Sequence, residues 1–275
     1  MKPVLICLLL SHLMLGGLAC ANDPIQSKPR VASAIPVLHL LNQELLKNTG
    51  IEAAYLPPKR LPISRIGNWI KRKGDQAVKS GTLYTAVATI ESVRPDLSFY
   101  SLIRSTNIKV IPVDAANELS PTGSKITLPT AAQANQAFFW LDNNNLITMS
   151  QILARDYATI WPEIANQIVE NQERVQASLN LFTLKRDELL LETERFNLCV
   201  ADEKLLPLAT SLNMPITAAT ESCEADASIR ILKASKKEGS AAGRWAVNAL
   251  DKPINSDLHT WLDRNLASLE AAVSP

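Results

Sequence analysis

Phe138-Phe139-Trp140-Leu141-Asp142-Asn143 is the stretch on which the reading of this chain turns. It stands at the head of a long amphipathic region in which Leu146, Met149, Ile152, Leu153 and Tyr157 recur at helical spacing. After Trp161-Pro162 a second apolar pattern runs through Ile164, Ile168, Val175, Leu179 and Phe182 towards Leu190, and Pro162 is well placed at a helix start. At 1.5 Å per residue this second helix would span about 40 Å. A helix of that length between two βα regions reads as a strut joining two lobes rather than a simple crossover.

Working outward, both flanks alternate short β-like runs with helical periodicity. On the N-terminal side, Val31–Ala34, Ile51–Leu56, Thr85–Ile90 and Ile108–Val113 read as strands. Between them lie a helix opened by Pro36, a basic helical stretch around Ile63–Arg72 and a short helix over Leu97–Arg104. On the C-terminal side, strands are expected at Phe196–Ala201, Met214–Ala218, Ser228–Leu232 and Arg244–Val247, with helices over Glu203–Ser211 and Leu258–Ala271. The Lys233–Gly243 stretch reads as a surface loop. Strands alternating with helices imply parallel sheets faced by helices. The expected architecture is α/β: two βα lobes with parallel sheets bridged by one long helix. Its segments are a signal peptide (1–21), an N-terminal lobe (22–162), the bridging helix (163–193) and a C-terminal lobe (194–275).

The first residues indicate export. Lys2, the apolar run Val4–Leu10, a second apolar stretch Leu13–Leu18 and Ala19-Cys20-Ala21 form the n-region, h-region and cleavage site of a secretory signal. Cys20 also raises a lipoprotein reading, which Gly17 and Leu18 fit poorly. The net charge of +1 falls close to zero once Lys2 is removed, which gives no basic footprint for nucleic acid. No other run is long or apolar enough to cross a bilayer, so the mature protein is expected to be soluble and periplasmic. Cys199 and Cys223 remain after cleavage, and in an oxidising compartment they most simply form one disulfide, worth roughly 3 kcal/mol by chain entropy. Neither C-x-x-C spacing nor a nearby His supports a metal or redox site there.

The order of these elements resembles the solute-binding proteins of zinc, manganese and iron ABC transporters. In that family the stretch comparable to Phe138–Asn143 reads D-P-H-x-W-L-D-P, and its His ligates the metal. Here Trp140-Leu141-Asp142 keeps the W-L-D, while the His slot holds Phe138. Leu56-Pro57-Pro58 matches the L-P-P before the first ligand, Leu205–Met214 the helix after the third, and Ala249-Leu250-Asp251 the final V-L-D. The resemblance covers nearly the whole mature chain. It implies two rigid α/β lobes joined by one helix, a ligand held between them, and a permease in the inner membrane as partner.

Carried over residue by residue, the ligand slots fall on Ile63, Phe138, Asp202 (with a one-residue slip to Ala201 as the alternative) and Asp251. Zinc asks for four His, Cys or carboxylate ligands. Two apolar residues and two carboxylates make a poor zinc site, although Asp202 and Asp251 could assist a hard ion that brings water or a chelator. Of the histidines beyond the signal, His39 lies on a core-facing helix, and His259 in the last helix reads as exposed. Lys59, Arg60, Arg65, Lys71, Arg72, Lys73 and Lys79 crowd the first slot, opposed by Asp75. They read either as a solvated helix face or as an electropositive rim, in which Arg60 and Arg65 would hold a carboxylate bidentately. A dock for a membrane partner is a third reading.

Trp140 adjoins the second slot, so its ring either borders the cleft or packs in the core, as expected of Trp69, Trp161 and Trp245. No nucleophile elbow, zincin, phosphate-loop or dinucleotide motif occurs, so no enzyme is expected. The reading is therefore a periplasmic solute-binding component whose usual His ligands are replaced. Its ligand would be a small anion or a divalent metal carried as a chelate, held by Arg60, Arg65, Asp202 and Asp251. The alternative is an accessory protein of the envelope that has lost metal binding, with an apolar, closed cleft around Ile63 and Phe138.

Overall fold

The computed structural model describes residues 28–78, 83–120, 122–128, 137–218, 227–235 and 239–274. The signal-like segment with Cys20, and also Lys79 and Cys223, lie outside the described residues. Strands β1 (Arg30–Ser33), β2 (Glu52–Tyr55), β3 (Ala86–Thr89) and β4 (Ile111–Asp114) form one parallel sheet in the order β2-β1-β3-β4. Strands β5 (Asn197–Val200), β6 (Ile216–Ala218), β7 (Ser228–Lys233) and β8 (Arg244–Val247) form a second parallel sheet, β6-β5-β7-β8. The two lobes thus repeat one topology. Along the central strands Val31, Ala32, Ala86, Val87, Leu198, Val200, Ile229 and Ile231 are buried, as strands of a helix-covered parallel sheet require.

The helices are α1 (Pro36–Leu45), α2 (Ile63–Val78), α3 (Tyr100–Thr106), α4 (Asn143–Ile160), α5 (Ala165–Glu192), α6 (Leu206–Ser211) and α7 (Leu258–Val273). Several boundaries differ from the sequence reading, among them a strand that starts at Ile216 rather than Met214 and a 3-10 turn, Glu203–Leu205, ahead of α6. The short helix after β3 is split, with a 3-10 turn at Pro95–Leu97 and α3 beginning only at Tyr100. β4 starts at Ile111, and Ile108 is exposed before it. In α2, Ile63, Ile66, Ile70, Gly74 and Val78 face inward, which leaves Arg65, Lys71, Arg72 and Lys73 to solvent. No helix among the described residues is long and apolar enough to cross a membrane.

The long helix is the strut that the spacing predicts. At 1.5 Å per residue the 28 residues of α5 span about 42 Å. It packs on α4, on α1 of the first lobe and on α7 of the second. Ile168, Val175, Leu179 and Phe182 carry its apolar contact. Asn171 adds a polar one, donating from Nδ2 to the carbonyls of Leu45 (2.8 Å) and Lys47 (2.9 Å). Those carbonyls belong to the end of α1, where helical partners run out, so α5 caps the helix it braces.

The W-L-D signature has a structural role at each end. Asp142 is the N-cap of α4 and accepts the Asn144 N–H at 2.9 Å. Burial pushes its carboxyl up, against those backbone hydrogen bonds. Asp142→Ala is expected to cost about 1 kcal/mol in urea unfolding through loss of this cap. Trp140 lies in the core at 1% exposure, edge-on to Phe138 (5.5 Å) and Phe139 (5.1 Å). Trp161 and Trp245 are buried as well, and Trp69 stacks on Phe99.

Candidate functional site

In each sheet the strand order reverses between the first and third strands of the lobe, β1/β3 and β5/β7. Ligands of open α/β sheets bind in the crevice beyond the carboxyl ends of strands at such points. A cleft of about 440 Å³ lies there, lined by Ile63, Ser64, Arg94, Pro95, Asp96, Phe138, Lys204, Lys233 and Asp251. Arg94 to Asp96 follow β3, Lys204 follows β5, Lys233 ends β7 and Asp251 follows β8, so loops from both lobes build it.

Three of the four slot residues meet in this cleft. Ile63 and Phe138 are buried in its wall, and both are tied across the lobes through their backbones. Ile63 N–H donates to the Asp251 carbonyl at 2.8 Å, and Phe138 N–H to the Lys204 carbonyl at 2.9 Å. Asp251 holds Lys233 at 3.2 Å. Asp202 is engaged elsewhere, as the N-cap of the 3-10 turn Glu203–Leu205, where it accepts the Lys204 N–H at 3.0 Å. Trp140 is not among the cleft-lining residues. Its Nε1 donates to the Ala249 carbonyl at 3.0 Å, another bond between the lobes. Arg60 and Arg65 are exposed and do not line the cleft.

The segment that these bonds grip is conformationally unusual. Leu250, fully buried, has φ of 51°, a left-handed conformation rare for a branched side chain. Its N–H is held by Asn248 Oδ1 at 3.1 Å, while the carbonyls on either side, of Ala249 and Asp251, are the ones taken by Trp140 and Ile63. Such a backbone costs of order 1–3 kcal/mol and persists where its surroundings over-determine it, as they do here.

The cations facing the cleft are not those the sequence put forward. Arg94, Lys204 and Lys233 line it, against Asp96 and Asp251. Arg94 is buried and chelates Asp96 through Nε (2.8 Å) and Nη2 (2.9 Å). That hydrogen bonding holds the Asp96 carboxyl below the usual range. Lys204 takes part in no ion pair among the described residues. Nothing in the local sequence marks these three cations; the available signal is their place just at or after the carboxyl end of a strand. No group of three or more His, Cys, Asp or Glu that could hold a metal occurs among the described residues. His259 is exposed, 3.3 Å from Asp263, and His39 is buried away from the cleft.

No family model and no curated protein matches this sequence. Solved structures do match the fold. ZnuA superposes with a TM-score of 0.59 at 11% identity, over 88% of this chain and 97% of that one. FpvC from Pseudomonas aeruginosa, in complex with Mn²⁺, gives 0.62 at 12%, over 89% and 96%. The Zn(II)-bound ZnuA-like domain of AdcA from Streptococcus pneumoniae gives 0.58 at 12%, over 90% and 100%. With two parallel four-stranded sheets joined by one long helix, this chain has the fold of the metal-binding solute-binding proteins.

Proposed function

We propose that this protein is an exported solute-binding component of an ABC transporter whose cleft takes a small anionic ligand, a metal in carboxylate chelation, rather than a bare ion. The observation that carries this reading is that Lys204 adds a cation to the cleft beyond the pairs Arg94–Asp96 and Lys233–Asp251, while two of the ligand slots hold the apolar Ile63 and Phe138. A bare divalent ion would meet one carboxylate already held by a lysine, another chelated by Arg94, and apolar side chains. A chelate brings its own inner shell and presents carboxylate oxygens, which ammonium and guanidinium donors suit. The protein acts as a binding module, with a permease in the inner membrane as its partner and a periplasmic location. A Cys199–Cys223 disulfide belongs to the same proposal: Cys199 is buried on β5, and mass analysis with and without reductant would reveal the bond.

The test is calorimetric. Lys204→Ala is expected to weaken binding of a metal–citrate complex roughly tenfold or more, the effect of removing one charge-assisted contact. Arg65→Ala, on the exposed face of α2, should leave it unchanged. Equal effects of the two variants would place the ligand elsewhere. One observation favours a second reading, an envelope accessory protein without a small ligand. The slot residues staple the lobes together by main-chain hydrogen bonds, where a metal would otherwise join them. Absence of binding by any anion or chelate would select it.

A further inference from the structure

A second cavity of about 440 Å³ lies between α1 and the segment leading into α7, and shares no lining residue with the cleft. Its walls include His39, Glu44, Lys47, Lys59, Ser256 and Asp257. A smaller hollow of about 170 Å³ shares Glu44, Lys47 and Asp257 with it, so the two form one groove along the lobe junction.

The acids of this groove are already engaged. Glu44 Oε1 accepts the Leu258 N–H at 2.9 Å, across the lobes, and Asp257 Oδ1 accepts the Thr260 N–H at 2.8 Å. Lys47 bears electrostatically on Asp257. The donors at the other end have no such partners. Lys59 is exposed, and no ion pair among the described residues involves it. Ser256 Oγ is buried and makes no hydrogen bond.

His39 is only 7% exposed, and its ring lies 5.3 Å from that of Tyr55. Its Nδ1 is buried and has no partner, and the residue lines the cavity. An unpaired buried donor is rarer in proteins than an under-satisfied acceptor, so the proton belongs on Nε2. The imidazole is therefore a donor in the same cavity wall as the Lys59 ammonium and the unpartnered Ser256 hydroxyl.

We propose that this groove is a second ligand site, distinct from the cleft, for a small organic carboxylate. His39 Nε2–H and the Lys59 ammonium bind its oxygens, and the Ser256 hydroxyl turns onto them. The inference stands apart from the reading of the cleft, and its test keeps them apart. The mature protein is titrated with succinate while the ¹H–¹⁵N signals of the His39 ring are followed. The expected result is a saturable shift, weakened at least tenfold by Lys59→Ala and by Ser256→Ala and unchanged by Lys204→Ala. Inorganic sulfate run alongside distinguishes a carboxylate site from a general anion site: an equal response to sulfate overturns the carboxylate assignment. Absence of a saturable shift, or a shift abolished by Lys204→Ala but not by Lys59→Ala, overturns the site itself.

Discussion

Trp140→Ala is expected to lower the unfolding free energy by about 3–5 kcal/mol, the usual cost of truncating a buried large aromatic. Trp140 is 1% exposed, sits edge-on to two phenylalanines, and supplies one of the hydrogen bonds joining the lobes. Trp140→Phe separates these contributions. It keeps most of the ring and strands the Ala249 carbonyl, for an expected loss of about 1–2 kcal/mol. The strained Leu250 backbone makes the outcome specific. Once Ala249 is released, the Ile63–Asp251 bond is the remaining hydrogen bond to the segment from the first lobe among the described residues. Urea unfolding followed by tryptophan fluorescence and by circular dichroism checks both variants. A Trp140→Ala protein with unchanged midpoint would remove Trp140 from its role as an inter-lobe clamp.

The second large effect is on pH dependence. Burial, with the nearby Lys59 charge adding to it, lowers the His39 pKa to about 4. The folded state thus holds the imidazole neutral, while in the unfolded chain it titrates at its ordinary value near 6.5. Stability from this group is fully present above that unfolded pKa and is lost as pH falls towards the folded one. Between pH 8 and pH 4.5 the loss amounts to about 2.5 kcal/mol by linkage. Asp142 and Asp156 act in the opposite sense, since burial pushes their carboxyls up and their contribution grows in acid. His39→Gln leaves those carboxylates in place. The wild-type minus variant difference in unfolding free energy, measured at both pH values, should therefore fall by about that amount. A flat difference would mean that His39 titrates normally.

Periodicity carried most of the architecture because each element has a single buried face. The spacing of Ile168, Val175, Leu179 and Phe182 announces α5, and Pro36 and Pro162 mark element starts within a residue or two. Asp142 was legible as part of a signature, yet its work is a helix cap rather than ligand chemistry. The site was only half legible. Ile63, Phe138 and Asp251 reach the cleft because they lie where strands or their connections end. Asp202 follows β5 just as closely, but a side chain two residues before a free N–H is well placed to cap it, and that bond takes it. The crowding of Arg60 and Arg65 is a property of the exposed face of α2, whereas Arg94, Lys204 and Lys233 are scattered in sequence and converge only when both sheets are formed.

The same convergence defines the decisive measurement. Chelator-stripped mature protein is titrated calorimetrically with Zn²⁺ and Mn²⁺ alone, and then with the same ions as citrate complexes. An anion-binding cleft predicts saturable one-to-one binding of the complexes and none of the bare ions, with affinity weakened roughly tenfold or more in Lys204→Ala. Tight one-to-one binding of a bare ion, indifferent to Lys204→Ala, would contradict it and return Asp251 and its neighbours to the role of metal ligands.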